Sequence, residues 1–225
     1  MKIFDYTFFF ILAGDLIARA MHPDWAMVEY VFKPLIMISL GEYFIRESKN
    51  AELKHGNYVT IAIVFSLIGD IFLMNDKTFL VGLVTFLIAH IFYILAFRPE
   101  ASRFFSKKEL LIPATIVLIY GGFLLAVVLP NVDSALKIPI IVYAFTILIM
   151  LLTALHRFSN VSAVSFKYVI IGASLFVLSD SMIAISKFVT HFPMDGMLIM
   201  ATYGIGQYLI IVGYLKNVKK AVVNN

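Results

Sequence analysis

Residues 65–74 read FSLIGDIFLM, an apolar run interrupted by one carboxylate, Asp70. A second carboxylate, Asp180, interrupts another apolar run. Lys33, His90, Tyr93, Tyr143, Ser179, Tyr203 and Gln207 stand in further ones. A charge near mid-bilayer costs at least ~2.5–3.5 kcal/mol on insertion scales, so such residues normally face a bundle interior and pair. Carboxylates, a lysine and a histidine gathered there can relay protons or bind a substrate. Spacing already groups some of them. Ser66 and Asp70 are i, i+4 and share a helix face, as do Tyr203 and Gln207, and His90 and Tyr93 are i, i+3.

Each residue also has a structural reading. Asp70 and Asp180 can be held by Lys33 or by Ser and Tyr hydroxyls. Lys33 can snorkel outward, and His90 can bond a neighbouring helix. Asp15 reads as a solvated or structural charge near a helix end. Glu42 and Arg46, i, i+4 near an inner helix end, read as a surface pair.

The elements that position these groups follow from composition. The chain has 225 residues, 61% hydrophobic, with mean hydropathy +0.94. Soluble domains sit near ~45–50% apolar. The expectation is an all-α membrane protein, one integral-membrane domain over residues 1–225. Eight spans are predicted at about 4–21, 28–46, 57–75, 78–97, 111–129, 136–155, 166–188 and 194–215, each near the ~20 residues that cross the hydrocarbon core. Continuous apolarity argues helices, since barrel strands would alternate. Turn residues punctuate the spans: His22-Pro23-Asp24, Asn75-Asp76-Lys77, Arg98-Pro99-Glu100, Pro130-Asn131-Val132-Asp133 and His191-Phe192-Pro193. Ala18-Arg19-Ala20 has the small-residue spacing of a signal-peptidase site, but Asp15 interrupts the apolar run before it, so the segment is read as helix one. Cysteine is absent, which excludes disulfides, thiolate nucleophiles and cysteine-based metal sites.

Charge sets the orientation. With both termini cytoplasmic, 13 of the 18 basic residues fall on the inner side, among them Arg46, Lys49, Lys54, Arg98, Arg103, Arg157, Lys219 and Lys220. Arg19, Lys77, Lys137 and Lys187 fall outside. No basic module with interleaved aromatics is present, so nucleic acid is not an expected partner. In this orientation helices three and seven run outward, and Asp15, Asp70, Asp180, Lys33, Tyr143, Tyr203 and Gln207 converge on the outer half of the bundle, with His90 and Tyr93 deeper. A faint echo links Gly69-Asp70 to Ser179-Asp180, and Lys33-Pro34 to Lys137-Ile138-Pro139, four spans apart. It suggests two four-helix halves in a parallel pseudo-repeat, with the aspartates at equivalent, facing positions. Gly69, Gly204 and Gly206 are expected to let neighbouring helices come close.

Five segments occur in order: Phe32-Lys33-Pro34-Leu35, Ser66 through Met74, Ala89-His90-Ile91-Phe92-Tyr93, Gly172 through Ser181, and Ala201 through Ile210. Together they resemble the YhhN-type lysoplasmalogenase family of multi-pass membrane proteins, over nearly the whole chain. The resemblance implies hydrolysis of the vinyl-ether bond of a lysoplasmalogen, giving a fatty aldehyde and glycerophosphoethanolamine or glycerophosphocholine. It also implies a lysophospholipid substrate drawn laterally from bilayer lipids, and residence in the cell membrane of a bacterium or an endomembrane of a eukaryote. Such hydrolysis starts with a proton delivered to the carbon beta to oxygen, which leaves an oxocarbenium ion. It needs a protonated acid and an anion beside the developing cation, as glycosidases do. Asp70 and Asp180 are the expected catalytic pair, with the acid and anion roles open between them. Lys33 would bind phosphate or set the electrostatics. His90, Tyr93, Tyr203 and Gln207 would orient water or glycerol, with Ser179 and Tyr143 in support. No cofactor or metal is expected, since Asp70, Asp180 and His90 lack a short ligand spacing. Two other classes compete. An intramembrane aspartyl protease would need Gly-x-Gly-Asp, and position 67 is Leu. A small-solute or proton-coupled transporter would use the same residue types.

Overall fold

A long apolar stretch in lipid must satisfy every backbone N–H and C=O within itself, which leaves it the helix. The computed structural model describes residues 2–21, 24–49, 53, 55–98, 107–158 and 160–217, without side chains at 107–110. Among these residues all regular structure is helical. Eight α-helices follow in order: α1 (Lys2–Ala20), α2 (Ala26–Ser48), α3 (Gly56–Phe72), α4 (Phe79–Phe97), α5 (Lys107–Val128), α6 (Ser134–His156), α7 (Ala163–Phe188) and α8 (Asp195–Leu215). The predicted residues His22, Pro23, Lys54, Pro99, Glu100, Arg103, Lys219 and Lys220 lie outside the described set.

Five stretches are long and apolar enough to cross a membrane: Asp76–Phe97, Leu111–Asn131, Ser134–His156, Ala163–Phe188 and Asp195–Leu215. The chain is a multi-pass integral membrane protein. α1 and α2 carry charges along their length, including Asp5, Asp15, Arg19, Glu29, Lys33, Glu42 and Arg46. α3 has 17 residues and stops at Phe72, short of the predicted 75. Its end is closed by the Leu73 N–H, which donates to the Gly69 carbonyl at 2.9 Å. Asn75 then turns the chain by accepting the Lys77 N–H on its side chain, also at 2.9 Å. This earlier stop puts Asp70 in the last turn of α3.

Packing runs from α1 through α2, α3, α4, α6, α7 and α8 and back to α1, a closed ring with α5 outside against α6. The same pairings recur four helices apart: α1–α2 with α5–α6, α2–α3 with α6–α7, α3–α4 with α7–α8, and α4–α6 with α8–α2. The α7–α8 pair is the most extensive, and small residues bring it together. A Cβ added to Gly172 would lie 2.6 Å from the Gly206 carbonyl oxygen and 2.8 Å from the Ile210 nitrogen. Both are backbone atoms that no rotamer change can move. Gly172→Ala is therefore expected to cost about 1–3 kcal/mol through overpacking, read as a lower Tm in detergent. Gly122→Ala, where nothing lies within 4 Å of the added carbon, is the control and leaves Tm unchanged.

Candidate active site

Asp70 is 2% exposed and takes partners from two other helices. Lys33 of α2 brings its Nζ to 3.9 Å from Oδ1. The Tyr203 hydroxyl of α8 donates to Oδ2 at 2.7 Å. Lys33 is itself buried, so it pairs inward and does not snorkel. At 3.9 Å and an effective dielectric of ~20, the pair attracts by roughly 4 kcal/mol, which offsets part of the cost of burying both groups. Gly69 lets the Phe86 ring of α4 lie against α3, since a Cβ there would meet the ring at 2.5 Å. Asp15 is fully buried, not solvated, and joins Arg19 at 2.7 Å, which in turn reaches Glu29 at 3.2 Å. These groups form a charged flank beside Lys33. Glu42 and Arg46 make the exposed pair that their spacing indicates, at 3.6 Å.

Asp180 sits in a matching frame with different chemistry. Tyr143 of α6 donates a short hydrogen bond to its Oδ2. His90 of α4 places Nε2 3.9 Å from the same oxygen, beyond hydrogen-bond reach. Thus Asp70 on α3 is met from α2 and α8, and Asp180 on α7 from α6 and α4. Among the described residues no lysine or arginine reaches Asp180. His90 is fully buried with no hydrogen-bond partner at either ring nitrogen, so the expected bond to a neighbouring helix is absent. The rings of Phe86 and Phe176 contact both Tyr203 and His90 and separate the two half-sites. The carboxylates still lie within range of each other's charge.

Access also differs. Two apolar clefts meet at Asp180 and Tyr143. One, of ≈ 470 Å³, runs between α5, α6 and α7 past Leu124, Leu148 and Val177. The other, of ≈ 440 Å³, runs between α4, α6 and α7 past Leu83, Phe86 and Phe188. Asp70 lines neither.

Several predicted residues do other work. The Tyr93 hydroxyl donates to Gln207 Oε1 at 2.6 Å, and Gln207 Nε2 donates to Ser66 Oγ at 3.3 Å. This buried α4–α8–α3 network lies next to Tyr203 and bonds neither aspartate directly. The Ser179 hydroxyl donates to the Ile199 carbonyl at 3.0 Å and ties α7 to α8. Sequence reasoning passed over Tyr120 and Ser181, which bond each other at 2.7 Å on the wall of the larger cleft. The available signal was that Tyr120 and Thr115 are the polar side chains within the apolar run of α5. Between α7 and α8, Ser186, His191 and Asp195 cluster, but serine and aspartate both bond His191 Nδ1, at 3.0 and 2.8 Å. A relay needs them on opposite ring nitrogens. Among the described residues no three His, Asp or Glu side chains converge as a metal site.

The profile described as the YhhN family matches residues 28–214. A protein named Lysoplasmalogenase TMEM86A from Bos taurus is 30% identical over 203 residues, 84% of this chain and 78% of its own length. Lysoplasmalogenase TMEM86B from Homo sapiens is 29% identical over 69% of this chain and 62% of its own. A lysoplasmalogenase homolog from Dictyostelium discoideum is 30% identical over 61% of this chain and 53% of its own. No solved structure matches significantly. With a ring of helices that carries the ordered segments of the sequence and a profile match spanning most of its length, the chain belongs to the YhhN family.

Proposed function

We propose that this protein is a lysoplasmalogenase-like hydrolase in which Asp180 is the proton donor and Asp70 the resident anion. The observation that carries the reading is the meeting of two apolar clefts at Asp180 and Tyr143. An alkenyl chain can enter there from the bilayer with its vinyl ether beside a carboxyl group. Among the described residues no lysine or arginine lies beside Asp180 to balance a charge, which favours its protonated form as the donor. Tyr143 occupies Oδ2, which leaves Oδ1 to carry that proton. Lys33, 3.9 Å from Asp70, favours the ionised form there. All eight helices cross the membrane with both termini cytoplasmic, as one domain of two four-helix halves. The recurrent helix pairings and the matched settings of the aspartates support that arrangement.

The steps balance. Asp180 Oδ1 gives its proton to the carbon beta to the ether oxygen, and the double bond becomes an oxocarbenium ion. The new Asp180 carboxylate and the field of Asp70 stabilise that cation. Water adds to the cationic carbon and gives a proton back to Asp180. His90, whose Nε2 lies 3.9 Å from Asp180 Oδ2, would orient this water. The hemiacetal then breaks its bond to the glycerol oxygen, which takes the hydroxyl proton, and the aldehyde leaves.

Purified protein given a lysoplasmalogen in D2O is expected to release a fatty aldehyde carrying one deuterium at carbon 2. The saturated alkyl-ether analogue, which has no alkene to protonate, should release none. Mass spectrometry of the trapped aldehyde reads both. No aldehyde, with solute flux in liposomes that depends on Asp70 and Asp180, would replace this reading with transport.

A further inference from the structure

The opposite end of the bundle holds a second polar site. Arg157 follows α6 and lies 14 residues past Tyr143, roughly 21 Å along the helix at 1.5 Å per residue. It is 3% exposed. Its guanidinium sits over two rings, 5.4 Å from the Phe97 centroid and 5.2 Å from that of Tyr214. One amino group donates to Ser165 Oγ at 3.0 Å, and the other, Nη1, has no hydrogen-bond partner. Burial draws the group down to about 10, which leaves it cationic at neutral pH, and no carboxylate among the described residues balances it. The two ring faces attract the cation, and the carbonyl end of α6 favours positive charge there. These contacts fix the guanidinium in place without cancelling its charge. Over it opens a largely polar cleft of ≈ 420 Å³, lined also by His55, Arg98, Asn160, Tyr214 and Asn217.

We propose that this cleft binds a phosphate group, with Arg98 and Arg157 as the cationic pair that recognises it. Two arginines and neighbouring amides at the end of a membrane bundle suit the phosphate of an anionic lipid headgroup or of a soluble phosphate compound. The site is separate from the aspartates and does not depend on the hydrolase reading.

Thermal unfolding tests it. The protein is placed in nanodiscs of phosphatidylcholine, with phosphatidylglycerol added or with inorganic phosphate titrated at constant ionic strength. A ligand present at about 100 times its Kd is expected to raise Tm by roughly 5 °C or more. Arg98→Gln, at an exposed position, should remove at least half of the rise without lowering the starting Tm. Arg157→Gln should remove nearly all of it. A rise with phosphatidylglycerol alone assigns the cleft to a lipid headgroup, and a rise with inorganic phosphate assigns it to a soluble phosphate. No rise in either arm, or a rise that Arg98→Gln keeps in full, overturns the site.

Discussion

Asp180→Asn is expected to lower kcat for aldehyde release by about 10²–10⁴-fold, the range a positioned general acid contributes. The asparagine keeps the size of the side chain and still accepts the Tyr143 hydroxyl. It removes the one proton that can pass to carbon. KM should change little, because the apolar cleft walls that hold the chain are untouched. Tm should also hold within a few degrees, since the amide matches the carboxyl group in size and keeps its bond to Tyr143. Asp180→Glu separates chemistry from position. It retains the proton but moves it by about one methylene, and its kcat should fall between wild type and Asp180→Asn. Steady-state kinetics with the three proteins at matched purity reads the split. Wild-type kcat in Asp180→Asn would remove Asp180 from the proton-transfer step.

The sequence carried the outline of this site because charge in lipid is costly. Lys33, Asp70, Asp180 and His90 stand out from their apolar runs, and the predicted topology gathers the first three in one layer. Their partners were less legible. Tyr143, Tyr203 and Ser179 are all polar residues within helices, and spacing cannot say which way each faces across a helix–helix contact. Tyr203 reaches Asp70, while Ser179 turns to the Ile199 carbonyl. The end of α3 was placed three residues late, because Leu73 and Met74 continue the apolar run while Asn75 reverses the chain. The clefts could not be read at all. They arise from the shapes of Leu124, Leu148, Leu83 and Phe188 where three helices meet, and periodicity records only that these residues are apolar. The difference in access between the two aspartates therefore comes from packing. On that difference rests the proposal that Asp180 is the donor and Asp70 the anion.

Lys33→Met is expected to have the largest effect on stability and to test the anion role of Asp70. It leaves a 2% exposed carboxylate with the Tyr203 hydroxyl and without the ammonium at 3.9 Å. Breaking a buried pair in this way costs about 3–5 kcal/mol, a fall in Tm of roughly 10 °C for a chain of this size. Adding Asp70→Asn should restore most of that loss. The amide oxygen still accepts from Tyr203, the methionine fills the space of the lysine stem, and no charge remains to be balanced. The two substitutions are thus strongly coupled in a double-mutant cycle. Activity should follow a different course. If Asp70 acts through its charge on the developing oxocarbenium ion, the stable double variant stays about 10-fold or more below wild type in kcat, with KM nearly unchanged. A double variant that regains wild-type kcat along with its Tm would make the Lys33–Asp70 pair a structural strut and leave Asp180 to work alone. Stability and turnover therefore separate at this pair, and their separation measures how much of the reaction depends on a charge that never touches the proton.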